Sequence, residues 1–130
     1  MEKVITPQEI EVWYVLPAVR KGLVTEMISL GLNQKEASEM LGITESAVSQ
    51  YLSGKRGYDV TFDGKTSDEI RKSAKRIVDG GNVVSELNRI CEYSMSHMVL
   101  CRIHKMHGAP KKCDICFKNK RAARQSRLKL

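Results

Sequence analysis

Apolar residues recur every three or four positions along much of the chain, the spacing of one face of an α-helix. The stretch TPQE at 6–9 predicts a helix start, because Thr6 can cap, Pro7 suits the first turn and Glu9 can complete a capping box. Pro17 is expected to kink or end this segment, since its ring blocks a backbone hydrogen bond. A second helical stretch follows, with Gly31 as its stop.

The segment LNQKEASEMLGITESAVSQYLSGKRG, residues 32–57, predicts two short helices at about 34–41 and 45–52. Asn33 and Thr44 are their expected caps, and Gly42 tolerates the positive φ of the turn between them. Ser38 is small enough to let the second helix approach the first. The apolar residues expected to hold the pair together are Met40, Leu41, Ile43, Val48 and Leu52.

The rest of the pattern is also mainly helical, which makes the expected fold class all-α. Residues 57–66 alternate apolar and polar side chains and fit an extended loop or a short strand. Thr66 and Glu69 have the spacing of a capping box and predict a helix from about Ser67 to Asp79. Gly80 and Gly81 stop this helix, and another one is expected from near Asn82 toward residue 100.

The 32–57 segment resembles the helix-turn-helix of the lambda-repressor-like superfamily, often called XRE or Cro-like. The residues that carry the resemblance are Gln34, Ser38, Leu41, Gly42, Ile43, Thr44, Val48, Ser49, Leu52 and Gly54. Ser38 departs from the usual Ala. The resemblance implies a lambda-repressor-like bundle that binds DNA. The expected fold is therefore such a bundle, followed by a small cysteine-rich C-terminal segment that the sequence itself shows. A helical hairpin in an unrelated small domain is the alternative.

The resemblance also implies which side chains face double-stranded DNA. Gln34 is placed for a phosphate contact that braces the second helix, while Lys55 and Arg56 suit phosphates after it. Glu45 has a second interpretation, because an acid in the first turn also stabilises the helix dipole. The full set of expected DNA-binding residues is Gln34, Thr44, Glu45, Ser46, Ser49, Gln50, Ser53, Lys55 and Arg56.

Four cysteines lie in the C-terminal part of the chain, with Cys91 on the last predicted helix and Cys101, Cys113 and Cys116 after it. The CxxC pair lets two thiolates converge on one ion, so we predict a four-cysteine metal centre. The irregular spacing favours an iron–sulfur cluster over zinc, because clusters accept ligands from scattered loops. His104 or His107 could replace a cysteine at a zinc site. Redox-active thiols without metal, or simply buried cysteines, remain alternatives.

Charge adds a further expectation about partners. The chain has 130 residues and a net charge of +7, and residues 111–130 hold eight basic residues and one acid, so they carry the whole excess. Such a basic tail suggests a polyanionic partner such as nucleic acid, although a solvated end would look the same. The longest uncharged run, YSMSHMVLC, is far shorter than the roughly 20 residues of a membrane span, and no secretory signal is visible, so we expect a cytoplasmic protein.

Most of residues 10–116 also resembles a group of archaeal predicted transcriptional regulators, through the stretch from Trp13 to Pro17, Arg20, the helix-turn-helix and the four cysteines. We therefore expect a helix-turn-helix domain over 1–80, a metal-binding segment over 81–117 that is also a candidate for dimerisation, and a basic tail over 118–130. A homodimer on a partly palindromic operator follows from the one motif per chain.

These expectations combine into a sequence-specific, non-enzymatic transcriptional regulator whose cysteine centre senses redox state, oxygen or iron. A DNA-binding regulator with a purely structural zinc is the alternative. A thiol oxidoreductase using CDIC is a distant one, because nothing here resembles the βαβ setting of such a site.

Overall fold

A computed structural model of the chain describes residues 6–57, 60 and 62–96, apart from the side chains of residues 95 and 96. Within these residues every regular element is a helix and none is a strand. The expected all-α fold class is therefore confirmed. The alternating stretch 57–66 forms no strand at its described positions, and Tyr58, Asp59 and Thr61 lie outside the described residues.

The first helix, α1, is continuous but changes its winding near its start. It runs as an α-helix over Pro7–Ile10, as a π-helix over Glu11–Val15 and again as an α-helix over Leu16–Ser29. The predicted capping box is confirmed, since the Thr6 hydroxyl accepts from the Glu9 N–H at 3.2 Å and the Glu9 carboxylate accepts from the Thr6 N–H at 3.3 Å. Gly31, with φ of 100°, follows the end of the helix as expected.

Pro17 does not end α1, which corrects one of the two outcomes expected for it. The π-helical turn lies immediately before it, and the Leu16 N–H donates to the Glu11 carbonyl five residues back. Because proline has no N–H and its ring crowds the carbonyl four residues earlier, the α-helical ladder cannot continue unchanged there. A single π-helical turn shifts that ladder by one residue and lets the helix continue.

Four more helices follow: α2 over Gln34–Leu41, α3 over Glu45–Leu52, α4 over Gly64–Val78 and α5 over Val83–Ser96. The bounds of α2 and α3 agree with the prediction. The start of α4 does not, because Asp63 rather than Thr66 is the cap, and its carboxylate accepts from the Thr66 N–H at 2.8 Å. The expected box at Thr66 and Glu69 is wrong, since the Glu69 carboxylate instead accepts from Arg89 on α5.

Helix α1 lies between the α2–α3 pair and α4. Gly22 faces α4 so closely that a Cβ there would lie 3.0 Å from a methyl carbon of Ile70. Val24 belongs to the buried cluster that it forms with Ala47, Val48 and Tyr51 of α3. Positions 22 and 24 are about 200° apart around a helix. The α2–α3 pair and α4 therefore occupy roughly opposite faces of α1.

A polar cluster joins α5 to α4. The hydroxyl of Ser73, which is fully buried, donates to the Glu86 carboxylate at 3.1 Å and accepts from Arg89. Burial opposes ionisation of Glu86, but the hydrogen bonds from Arg76 and Ser73, together with the positive charges of Arg89 and Arg76, lower the pKa of its carboxyl. Ile90 of α5 is buried in the same core as α1 and α4. The domain boundary expected at 80/81 stays a prediction, and α5 shares this core across it.

Candidate nucleic-acid interface

Local hydrogen bonds define the joint between α2 and α3. Asn33 caps α2 in a reciprocal box with Glu36, with distances of 2.8 and 3.1 Å. Gly42 ends α2 in the left-handed conformation, with φ of 67°. The Thr44 hydroxyl then accepts from the Ala47 N–H at 3.0 Å and begins α3. Three residues, 42–44, thus join the two capped helices in a short turn, as the motif requires.

Small and apolar residues bring the two helices together against α1. Ala37 is fully buried and Ser38 is 5% exposed. The Ser38 hydroxyl donates to the Lys35 carbonyl at 2.7 Å, so the polar group that departs from the usual Ala is satisfied within its own helix. On α3 the buried residues are Ala47, Val48 and Tyr51. The prediction that Val48 is buried is confirmed.

Two residues expected in this core are instead exposed. Met40 and Leu52 are 39% and 38% exposed, and Tyr51, which the sequence interpretation did not single out, is 4% exposed. Tyr51 lies one turn from both Ala47 and Val48, so these three residues share the face that packs on α1. Leu52 also lies one turn from Val48, so spacing alone does not decide whether Leu52 or Tyr51 is buried.

The opposite face of α3 is polar and open. Ser46, Ser49 and Ser53 are exposed and Gln50 is half-buried, and their spacing places them along one side of the helix. Glu45 and Thr44 are exposed at its N-terminal end, while Gln34 is exposed in the first turn of α2. The fold therefore brings the predicted base-facing side chains onto one surface. Their contacts with DNA stay a prediction.

The chain after α3 is fastened to the Gln50 carbonyl. That oxygen accepts from the Ser53 hydroxyl at 3.2 Å, from the Lys55 N–H at 2.9 Å and from the Arg56 N–H at 3.3 Å. The Ser53 hydroxyl therefore donates within the protein, and its oxygen can still accept from outside. The side chains of Lys55 and Arg56 are exposed just beyond the polar face, as expected for phosphate contacts.

Cys91 is the one member of the predicted metal-ligand set that the described residues include. It is half-buried on α5 with a free thiol. Burial is the largest cause that raises the pKa of that thiol to about 12, and the nearby carboxylate of Glu11 contributes to the same increase by its charge and by a hydrogen bond. Arg20 acts in the opposite direction.

The other predicted ligands, Cys101, Cys113 and Cys116, lie outside the described residues, as do His104 and His107. Across 6–57, 60 and 62–96, no group of three or more His, Cys, Asp or Glu residues is arranged to hold a metal ion. The four-cysteine centre therefore stays a prediction.

A protein-family model described as Helix-turn-helix matches residues 25–59, from the last turns of α1 through the loop after α3. This match supports a DNA-binding transcription regulator of the XRE or lambda-repressor-like kind. Comparison with curated proteins and with solved structures gave no match. None of the helices in the part of the chain that the structure describes has the length and apolar character needed to cross a membrane.

Proposed function

We propose that this protein is a sequence-specific transcriptional regulator that inserts α3 into the major groove and binds a partly palindromic operator as a homodimer. The observation that carries the proposal is the two-sided character of α3. Its Ala47, Val48 and Tyr51 side is buried on α1, while its Ser46, Ser49 and Gln50 side is polar and open. Because one side of α3 is packed on α1, its rotation is restricted and the polar side stays available to enter the groove.

The chemistry of the open face suggests how bases are read. A Gln amide can donate to and accept from one adenine edge, and Ser can pair with several bases. Gln50 is therefore the residue proposed to carry most of the base selectivity. Glu45 can accept from a cytosine amine or can simply stabilise the start of α3. Gln34, Lys55 and Arg56 border this face and are proposed to contact phosphates.

The homodimer follows from the size of the reading surface. One recognition helix reads about half of a site, and proteins with this motif commonly bind two half-sites about one helical turn apart. We therefore propose that two chains bind one duplex. Selection from a pool of randomised duplexes should yield sites with two-fold symmetry if this is correct.

Gln50→Ala tests the placement of the recognition helix. On the selected duplex the variant should bind more weakly by about 1–3 kcal/mol, because alanine cannot form the bidentate hydrogen bonds to a base. Fluorescence anisotropy titration measures this difference. Gln8→Ala is the matched control, since Gln8 is exposed in the first turn of α1. If both variants bind as the parent does, α3 does not read the bases as proposed.

A metal centre at Cys91, Cys101, Cys113 and Cys116 is a second part of the proposal. Its support is the CxxC spacing together with the position of Cys91 on α5, which the polar cluster and Ile90 join to the DNA-reading domain. A centre that includes Cys91 would thereby be coupled to α4 and α1. An iron–sulfur cluster sensing redox state, oxygen or iron is favoured, and a structural zinc is the alternative.

The surroundings of Cys91 bear on this proposal in two ways. A metal ligand must be a thiolate, and the raised pKa of Cys91 means that a cation has to displace its proton. The Glu11 carboxylate that holds the proton in place would, conversely, help to balance the charge of a cation. Cys91 is therefore compatible with a ligand role when metal is supplied.

Anaerobic purification followed by an absorption spectrum and elemental analysis distinguishes the metals. A brown protein with a broad visible band and bound iron is the expected result, since thiolate-bound iron–sulfur clusters absorb visible light. A colourless protein with bound zinc would instead favour the structural site.

Cys113→Ser should abolish metal binding and Cys91→Ser should weaken it, and unchanged metal content in both would contradict the four-cysteine centre.

A further inference from the structure

One face of α1 lies along the recognition helix and the loop after it. Positions 17, 21, 24 and 28 recur at helical spacing and share that face. Val24 and Ile28 pack with the buried residues of α3. At the other end of the same face, a Cβ at Gly57 would lie 2.7 Å from the Pro17 carbonyl oxygen and 3.0 Å from the Lys21 Cβ. The loop after α3 therefore closes directly onto Lys21.

This close approach gathers three cations at the C-terminal end of α3. Lys55 and Arg56 immediately precede Gly57 and are exposed, while Lys21 is half-buried with its Cβ against that glycine. A lysine whose stem is covered by a neighbour still extends its ammonium group into water. The acidic residue of α3, Glu45, lies at the opposite end of the helix, about 12 Å away along its axis.

Within the described residues, none of the three cations Lys21, Lys55 and Arg56 forms an ion pair with a carboxylate. On α4 and α5, by contrast, several cations do, as Arg71 pairs with Asp68 at 3.2 Å and Arg76 with Glu86 at 3.1 Å. Unpaired cations concentrated on one surface create a positive potential that attracts a polyanion.

We infer that Lys21 binds a DNA phosphate and acts together with Lys55 and Arg56 on the backbone beside the groove entered by α3. The inference rests on the proposed function and names a residue outside the matched segment 25–59. Phosphate contacts fix the orientation of a protein on the duplex but carry no direct sequence information. Lys21 therefore positions α3, and its replacement should weaken binding to preferred and altered sites by the same factor.

Lys21→Gln tests the inference on the duplex obtained by selection and on a duplex with one preferred base changed. Affinity is measured by anisotropy over a series of salt concentrations. The plot of log affinity against log salt has a negative slope, and the magnitude of that slope should decrease by about 0.9, the value for one neutralised phosphate. The ratio of the two affinities should stay as in the parent, and Lys21→Arg should keep the parental slope.

Lys75→Gln is the matched control, because Lys75 is exposed on α4, on the far side of α1 from α3. Its slope should equal that of the parent. Lys21→Met, which keeps the aliphatic stem, gives a second neutral variant, and thermal melting verifies that each variant is folded. The inference is overturned if both neutral Lys21 variants keep the parental salt slope while Lys55→Gln has a slope of smaller magnitude. That result would leave the proposed function standing. A parent that selects no duplex overturns both.

Discussion

Two glycines of the α2–α3 segment have different physical reasons to be glycine. Both have positive φ, 67° at Gly42 and 72° at Gly57. At Gly42 a Cβ would meet nothing within 4 Å, so only the backbone conformation requires glycine. At Gly57 a Cβ would also come within 2.7 Å of the Pro17 carbonyl oxygen. Gly57 therefore combines a conformational requirement with a close approach between the loop and α1.

Replacing each glycine with alanine should separate these two requirements. Gly42→Ala should lower the free energy of unfolding by about 1–2 kcal/mol, the cost of a Cβ in the left-handed region. Gly57→Ala should cost about 1–3 kcal/mol more, because neighbouring backbone has to move. Urea denaturation measures both values. Equal decreases would mean that the loop does not press on α1, which would also weaken the argument for Lys21.

At the scale of elements, α5 is held by polar contacts as well as by its apolar face. Ser73 lies at the centre of these contacts, because its hydroxyl both donates to Glu86 and accepts from Arg89. Both partners also make ion pairs, between Arg89 and Glu69 and between Arg76 and Glu86. The position of α5 therefore depends on one hydroxyl that satisfies two charged groups.

Ser73→Ala should lower the free energy of unfolding by about 1–3 kcal/mol, since the buried carboxylate of Glu86 and the half-buried guanidinium of Arg89 each lose a hydrogen-bonding partner. Ser67→Ala, on the same helix, is the matched control and should change stability by less than about 0.5 kcal/mol. Urea denaturation followed by circular dichroism compares the two variants. A decrease as small as the control's would show that the cluster does not hold α5 in place.

For the whole molecule, two sources of positive charge are available to DNA. One is the group of Lys21, Lys55 and Arg56 near the end of α3, which form no ion pair within the described part of the chain, and the other is the excess of +7 carried by residues 111–130. The first is fixed relative to the recognition helix by the close approach of Gly57 to α1. The excess charge of residues 111–130 is known from the sequence alone, and we propose that it attracts the duplex without selecting a site.

Deletion of residues 118–130 removes six basic residues and tests this division. Overall affinity for the duplex should fall. The magnitude of the slope of log affinity against log salt should also decrease, by about 0.9 for each phosphate that the tail neutralises in the parent. Discrimination between the selected duplex and its altered version should persist, because Gln50 and its neighbours remain. Anisotropy titrations over a salt series measure both quantities. If discrimination disappears, base reading belongs to the tail.

The sequence by itself determined the features that depend on neighbouring residues. The caps at Thr6, Asn33 and Thr44 and the turn at Gly42 all involve groups within a few positions, so their patterns predicted the bounds of α2 and α3 correctly. The polar face of α3 followed in the same way, since a helix fixes which of its residues share a side.

Tertiary structure decided the features that depend on contacts between residues far apart in the sequence. Thr66 has the pattern of a helix cap, yet it lies within α4 and is fully buried. Asp63 caps this helix instead, and the Glu69 carboxylate that Thr66 would need for a capping box accepts from Arg89 of α5. Tyr51 and Leu52 have equally suitable spacings, and only the position of α1 selects Tyr51 for the core. Lys21 and Gly57 are far apart in the chain, so they meet only because α3 packs along α1.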